Sequence, residues 1–304
     1  MARLDMAAAA PDEWPLACRL ALGPSREDEL ESRVERLLAV IRRGDFDPSG
    51  LLLARRAGVP IGAIAAQVLP GGTGVLMPPF ASDPETRDAL VGAAIDHFRR
   101  FDVAIAHCAL SEDDAPLAAP LLGAGFQLVT RLVYMLHRSS ILPAFARGPR
   151  SGLKFIAYSD GLQEAFGDTL LRTYSGSLDL PEATVDRPVA QLLAGYRHGQ
   201  SDPLRWWLVE GPTGEAVGVV ILNGLHASEA MEIGYLGLVP EHRRKGYGHA
   251  LIEHVLAIAE RAGIEHVGLS VDARNVPAIN LYAGSLFRVY GSQQLYLMRM
   301  APLG

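Results

Sequence analysis

The sequence predicts an α/β chain built as two tandem α/β units, and three observations lead there. Its 304 residues exceed the usual size of one domain. Strand-like and helix-like patterns alternate along it in an order that recurs in the second half. One offset of 161 residues places Pro79 on Pro240, Leu90 on Leu251, Pro116 on Pro277, Gly123 on Gly284 and Phe126 on Phe287. The expected division is 1–138 and 153–304. Between them lies a linker, 139–152, rich in turn formers (Pro143, Gly148, Pro149, Gly152).

Each element follows from local pattern. Residues 1–25 carry little signal. From Glu29 to Arg43, the side chains Val34, Leu37, Leu38, Val40 and Ile41 form one helical stripe. Gly50 to Ala54 and Ile61 to Leu69 read as strands, and Pro70-Gly71-Gly72-Thr73-Gly74 turns the chain before a strand at Val75 to Met77. Asp83 as N-cap and Pro84 at the first helical position begin a helix that reaches Phe101. Val103 to Cys108 is a strand, Ala115 to Gly123 a short helix, and Phe126 to Leu136 two short strands. The second half opens with strand Leu153 to Ala157, helix Glu164 to Thr173, an irregular polar stretch Ser175 to Asp186 and helix Val189 to Tyr196. Strands Arg205 to Val209, Ala216 to Leu222 and Ala230 to Val239 follow, then helix Tyr247 to Ala262, strand His266 to Val271 and helix Val276 to Ser285. Two strands, near Arg288-Val289 and at Gln294 to Met300, close the chain.

Composition narrows the class. With 49% hydrophobic and 20% charged residues the chain can bury sizeable cores, and a net charge of −6 argues against nucleic acid as an obligate partner. Cys18 and Cys108 form no ligand or C-x-x-C spacing, so neither a disulfide framework nor a metal site is expected. The N-terminus lacks a signal-type apolar region and no segment has the ~18 apolar residues of a membrane span, so the expectation is a cytoplasmic protein without a membrane partner.

The chemistry concentrates at Glu232 to His249. An alternating apolar strand stops at Pro240, the basic loop Arg243-Arg244-Lys245-Gly246-Tyr247-Gly248 follows, and a helix begins. A helix N-terminus presents unpaired N–H groups and a favourable dipole to an anion, and Gly246 and Gly248 let backbone approach it. A pyrophosphate suits that junction; the plain alternative is a surface turn with a solvated basic cluster. Neither a Walker loop nor a G-x-G-x-x-G fingerprint is present.

Leu236-Gly237-Leu238-Val239-Pro240, Arg243-x-x-Gly246-x-Gly248 and Asn275-Val276-Pro277-Ala278-Ile279-Asn280-Leu281-Tyr282 together resemble the acetyl-CoA site of the GNAT superfamily, over roughly 205–300. The resemblance implies two units of mixed, mainly antiparallel sheet flanked by helices, in the layout of the tandem mycothiol synthase type. It implies acetyl-CoA as co-substrate and an amine acceptor, small molecule or peptide, attacking directly in a ternary complex. The protein is expected to be a monomer or homodimer. Leu236, Gly237 and Leu238 would offer backbone to the pantetheine and thioester. Arg243, Arg244, Lys245, Gly246, Tyr247, Gly248 and His249 would hold the pyrophosphate, and Asn275 would cap its helix or contact the pantetheine arm.

Acyl transfer also needs an acid for the departing thiolate and a base for the amine. Tyr282 is the candidate acid, against the alternative of an ordinary core tyrosine. Glu232 stands eleven residues before Arg243, where histone-type GNAT enzymes carry a glutamate; an acid in an apolar strand has the raised pKa a base needs. Asp272 matches an acidic position of the mycothiol synthases and is a second candidate. Ser270 stands where the ribosomal-protein acetyltransferases have glutamate, which argues against their mechanism. The stretch Tyr174 to Asp179 lies where relatives shape the acceptor pocket.

Leu286 replaces the glycine that usually ends the last helix, so Gly284 is expected to end it two residues early and displace Tyr282. In the first half the offset puts Glu85, Arg87, Ser82, Asp114 and Leu121 at the positions of Gly246, Gly248, Arg243, Asn275 and Tyr282. That half is expected neither to bind acetyl-CoA in the usual way nor to catalyse. The rival readings are a non-catalytic acyl-CoA sensor and an interaction scaffold.

Overall fold

The computed structural model describes residues 3–24, 26–138, 152–183, 188–197, 205–224 and 230–300. Residues 139–151 of the expected linker and 184–186 of the polar stretch lie outside them. The first half runs β1 (Leu4–Ala8), α1 (Trp14–Leu22), α2 (Glu27–Arg42), β2 (Leu51–Arg56), β3 (Val59–Leu69), β4 (Thr73–Leu76), α3 (Pro84–Arg100), β5 (Ile105–Leu110), α4 (Ala118–Gly123) and β6 (Gln127–Arg138). The second runs β7 (Lys154–Ala157), α5 (Gln163–Tyr174), α6 (Val189–Arg197), β8 (Trp206–Glu210), β9 (Ala216–Gly224), β10 (Ala230–Leu238), α7 (Tyr247–Arg261), β11 (His266–Asp272), α8 (Val276–Gly284) and β12 (Arg288–Arg299). The same order occurs twice.

The compact units do not follow the chain halves. One is 1–129 with 293–304, the other 130–292. In the first, β1, β2, β3, β4 and β5 succeed one another and Gln294–Arg299 of β12 completes the row beside β5. In the second, β7, β8, β9, β10 and β11 do the same and β6 pairs with β11, from Arg138↔His266 to Leu132↔Asp272. Among the described residues the parallel pairs are β4–β5 and β10–β11, so the strands of each unit are mixed and mainly antiparallel. The last strands of the two halves are exchanged. Whereas the sequence pattern places the division at 138 and 153, the compact units divide within β6 and β12. Each is also one continuous strand of 12 residues rather than two short ones, and both start and end 161 residues apart.

Within the 130–292 unit, β9 is buried on both faces. Val220 and Leu222 pack with the α7 stripe Leu251, Val255 and Leu256, while Val219 and Ile221 face Phe166 and Leu170 of α5. In the other unit α3 covers the sheet through Leu90, Val91, Ala94 and Phe98, and α1 and α2 cover the opposite side through Cys18, Val34 and Leu38. The first 25 residues thus carry β1 and α1; α1 has too few polar residues to mark a helical face in the sequence, Arg19 being the one charge in its nine residues. Cys18 and Cys108 are buried and unpaired, and burial pushes their thiols up to about 11 and about 12. No helix among the described residues is long and apolar enough to cross a membrane.

Candidate active site

The site in the 130–292 unit begins with a fault in β10. Ile233 pairs with Leu222 and Tyr235 with Ile221, so Gly234 is one residue too many for the β9 ladder. A Cβ on Gly234 would lie 2.6 Å from the side-chain nitrogen of Asn223, so a larger residue there would have to displace that side chain. On the other side, the parallel pairing of β10 with β11 stops at Glu232↔Gly268. Beyond that point a cavity of about 210 Å³ is lined by Gly234–Leu238 of β10, Leu269–Val271 of β11, Asn275 and Tyr282 of the α8 segment, and the loop after α5. Gly237 is similarly crowded, since a Cβ would meet the Tyr235 ring at 2.7 Å and Thr173 at 2.9 Å.

After β10 the chain makes the basic turn. Arg244 and Gly246 both have positive φ, 58° and 80°, and Gly246 is the N-cap of α7 with no side chain to cap the helix. Arg244, Lys245 and His249 are exposed, and Tyr247 stacks on His242 with centroids 6.0 Å apart. A Cβ on Gly248 would sit 2.9 Å from Leu281, so this glycine sets how closely α7 approaches α8.

Arg243 does something else. Its Nε donates to the Leu238 carbonyl at 3.0 Å, and its terminal nitrogens donate to the carbonyls of Thr173, Ser175 and Gly176 at 2.8–3.0 Å. The guanidinium therefore ties the basic turn to the loop after α5. Its donors are committed to backbone carbonyls, unlike the exposed Arg244 and Lys245 side chains beside it.

Tyr282 is 8% exposed, lines the cavity and packs 5.7 Å from Phe287. Burial, and then the nearby Asp179 charge, hold its phenol well above the ordinary value. The helix end does not shift as the sequence suggested. The α8 helix runs to Gly284, Leu286 takes the left-handed conformation itself at φ 67°, and the Phe287 and Leu286 amides donate to the Tyr282 and Ala283 carbonyls. That is the usual glycine-type helix end formed by a leucine, at a conformational cost of ~1–2 kcal/mol. Packing of Phe287 at 1% exposure holds it.

The two acids singled out by sequence part company. Glu232 is half-buried one residue before the cavity rim, and burial raises its carboxyl. Burial, then Tyr290 and then the Glu232 charge raise the phenol of Tyr134 on β6, a neighbour visible only once β6 is known to join this unit. Asp272 is fully buried and committed: it accepts from the Thr130 hydroxyl at 2.6 Å, the Leu180 amide at 3.2 Å and the Arg274 amide at 2.8 Å. The Arg274 guanidinium binds Asp272 at 2.7 Å and Glu182 at 2.6 Å. Burial alone would raise the Asp272 carboxyl, but Arg274, Thr130 and the two amides outweigh it and hold it low. Asp272 is thus a brace for the loop after α5 rather than a free proton acceptor.

Asn275 accepts from the Ala278 amide at 3.3 Å, capping α8, and its side chain also bonds Asp179. Asp179 was legible only as part of a polar stretch, because what distinguishes it is its place beside β11. Among the described residues no group of three or more His, Cys, Asp or Glu is placed to hold a metal.

Residues 171–285 match the profile of the Acetyltransferase (GNAT) family, and this part of the chain is a GNAT-family domain. Among individual relatives, it is 36% identical over 104 residues to a mycothiol acetyltransferase of Acidothermus cellulolyticus, covering 33% of this chain and 30% of that one. The matched stretches span less than half the length of the curated relatives. In fold, the whole chain is similar to a GCN5-related N-acetyltransferase of Sphaerobacter thermophilus, with a TM-score of 0.68 at 19% identity over 98% of this chain and 96% of that one. It is also similar to a tandem GNAT protein from the clavulanic acid biosynthesis pathway, with a TM-score of 0.57 at 16% identity over 99% and 100%.

Proposed function

We propose that the 130–292 unit is an acetyltransferase that moves an acetyl group from acetyl-CoA to a primary amine by direct attack in a ternary complex. The observation that carries this reading is the uncapped, glycine-opened first turn of α7, following directly on a bulge-opened cavity that Tyr282 lines. The residues fit the co-substrate: amides from Arg244 to His249, with the Arg244 and Lys245 cations, would hold the pyrophosphate, and Leu236, Gly237 and Leu238 would offer backbone to the pantetheine. When bound, acetyl-CoA supplies an activated thioester.

Within the chain, Tyr282 keeps its proton at neutral pH because burial disfavours the phenolate, so the hydroxyl is held ready for a departing thiolate. Glu232 has the raised carboxyl a base requires, but it stands outside the cavity lining. The unit of 1–129 with 293–304 is read as a support that binds no acetyl-CoA.

Calorimetry of acetyl-CoA on the wild type and on Gly246→Glu, followed by assays of CoA-thiol release with added amines, tests the reading. One site per chain, lost in the variant, with thiol release supports it. Two sites would overturn the inactive assignment of the first unit. Binding without thiol release from any amine would make the protein an acyl-CoA sensor.

A further inference from the structure

Two charged side chains line the cavity, Arg243 and Asp179. Arg243 is engaged by backbone carbonyls. Asp179 accepts the Asp272 amide at 2.9 Å and a bond from the Asn275 side chain. A carboxylate offers about four acceptor positions, so capacity remains. The cavity's available charge is therefore negative.

The backbone around Asp179 is held under tension. The next residue, Leu180, has φ 46°, and its amide is fixed to the Asp272 carboxylate at 3.2 Å. Upstream, Arg243 grips Thr173, Ser175 and Gly176. A leucine in the left-handed region is costly and persists only where its surroundings impose it, and such strain gathers at functional sites. Here the braces on both sides aim one carboxylate at the space shared with Tyr282.

We infer that Asp179 is the residue that receives the acceptor: it binds the ammonium of a cationic amine and takes one proton from it. This rests on the acetyltransferase reading of the same site. The step moves one proton from the ammonium nitrogen to a carboxylate oxygen, leaving a neutral amine and a neutral carboxyl; the proton returns to water after the amide leaves. Several groups face Asp179: Asp272 and Arg274 at the end of β11, Tyr235 on β10, Tyr196 on α6 and Tyr282 on α8, with Glu182 one step further out on Arg274. Burial, and then the Asp272 charge, raise its carboxyl, while the hydrogen bonds and Arg274 oppose. The inference gives the acceptor class as amines that carry positive charge and no neighbouring carboxylate, and it moves the base from Glu232 to Asp179.

The test compares wild type, Asp179→Asn, Asp179→Glu and Glu232→Gln, using acetyl-CoA with a linear polyamine, an amino sugar, a lysine peptide and an anionic amino acid. Asparagine removes the charge and keeps one oxygen to accept the Asp272 amide, while an NH2 group takes the place of the other oxygen. Expected for Asp179→Asn is a fall in kcat/KM of about 100-fold with loss of the acid limb of the pH profile. Acetyl-CoA affinity by calorimetry and the melting temperature should stay near wild type, Asp179→Glu should restore part of the acid limb, and the anionic amine should be the poorest acceptor. Retention of the wild-type pH profile in Asp179→Asn, or its loss in Glu232→Gln instead, overturns the inference. An equal loss of acetyl-CoA binding in Asp179→Asn would make the residue a loop support and overturn it too. Failure of the wild type with every amine overturns the acetyltransferase reading itself, and this inference with it.

Discussion

Helices α3 and α7 occupy the same place in the two units, each connecting the two strands of the parallel pair, yet their first turns are finished differently. In α3, Asp83 accepts the Thr86 amide and hydroxyl, both at 2.9 Å, and Pro84 removes another donor. Glu85 in the same turn pairs with Arg56 at 3.0 Å. In α7 the N-cap is Gly246 and no side chain caps the turn. One helix start is capped by its own side chain; the other is capped by none. The turns before the short helices differ in the same way. Ser111 donates to Asp114 at 2.6 Å in the first unit, whereas Asp272, at the corresponding position, reaches out to Thr130, Leu180 and Arg274. The first unit closes each of these turns on itself, and the second uses them to build and brace a cavity.

The strongest way to break this comparison is to give α7 the acid that α3 carries. Gly246→Glu should weaken acetyl-CoA binding on the order of 1000-fold, since like charges brought together cost several kcal/mol. Gly246→Ala separates charge from strain, because it meets no neighbouring atom and bears only the left-handed cost, about tenfold in affinity. Retained binding by Gly246→Glu would mean that the α7 turn is not the anion site.

Next in size is the brace. Asp272→Ala leaves the buried Thr130 hydroxyl and the Leu180 amide without their acceptor, while Arg274 keeps Glu182, and should cost about 1–3 kcal/mol in urea unfolding. A change under 1 kcal/mol would show that the brace is ornamental. The same group sets a pH dependence. Its folded pKa lies below the unfolded value, so its stabilisation is complete above the unfolded carboxylate value of about 3.9 and is lost as pH falls through the lower folded one. Wild type should therefore lose stability below about pH 4 more steeply than Asp272→Asn; parallel acid curves would refute the assignment. Glu232 has the opposite sign, because its raised carboxyl removes stability as pH rises past the unfolded value.

The smallest effect compares the two helix ends. Gly125 has φ 103° and the Phe126 amide donates to Leu121, as in the second unit, where Leu286 fills the glycine's place. Leu286→Gly should raise stability by about 1 kcal/mol net of glycine's unfolded-state entropy, and Gly125→Ala should lower it by a similar amount. A destabilising Leu286→Gly would mean that leucine packing matters more than backbone strain.

Much of this was legible in the residues. Periodicity located most elements to within two or three residues, since a buried stripe or alternation is written locally. Asn275 as a helix cap and Asp83 as its counterpart were legible for the same reason, the cap bond spanning three residues. The α1 helix was not, because it has too few polar residues to mark a face. Nor was the committed state of Arg243 and Asp272, whose partners lie about 70 and 142 residues away in the chain.

What the sequence determined by itself is whatever depends on neighbours along the chain: the repeat, the glycines that open the α7 turn, and the acid that closes the α3 turn. Tertiary structure decided what depends on which strand pairs with which. It assigned β6 to β11 and β12 to β5, pairings between strands far apart in the chain that local pattern does not specify. It let Leu286 keep a left-handed helix end that its own preference opposes, because Phe287 is buried behind it. It also turned an unremarkable aspartate at 179 into the charge available in the cavity, by bringing Asp272 and Arg243 to hold its loop on either side.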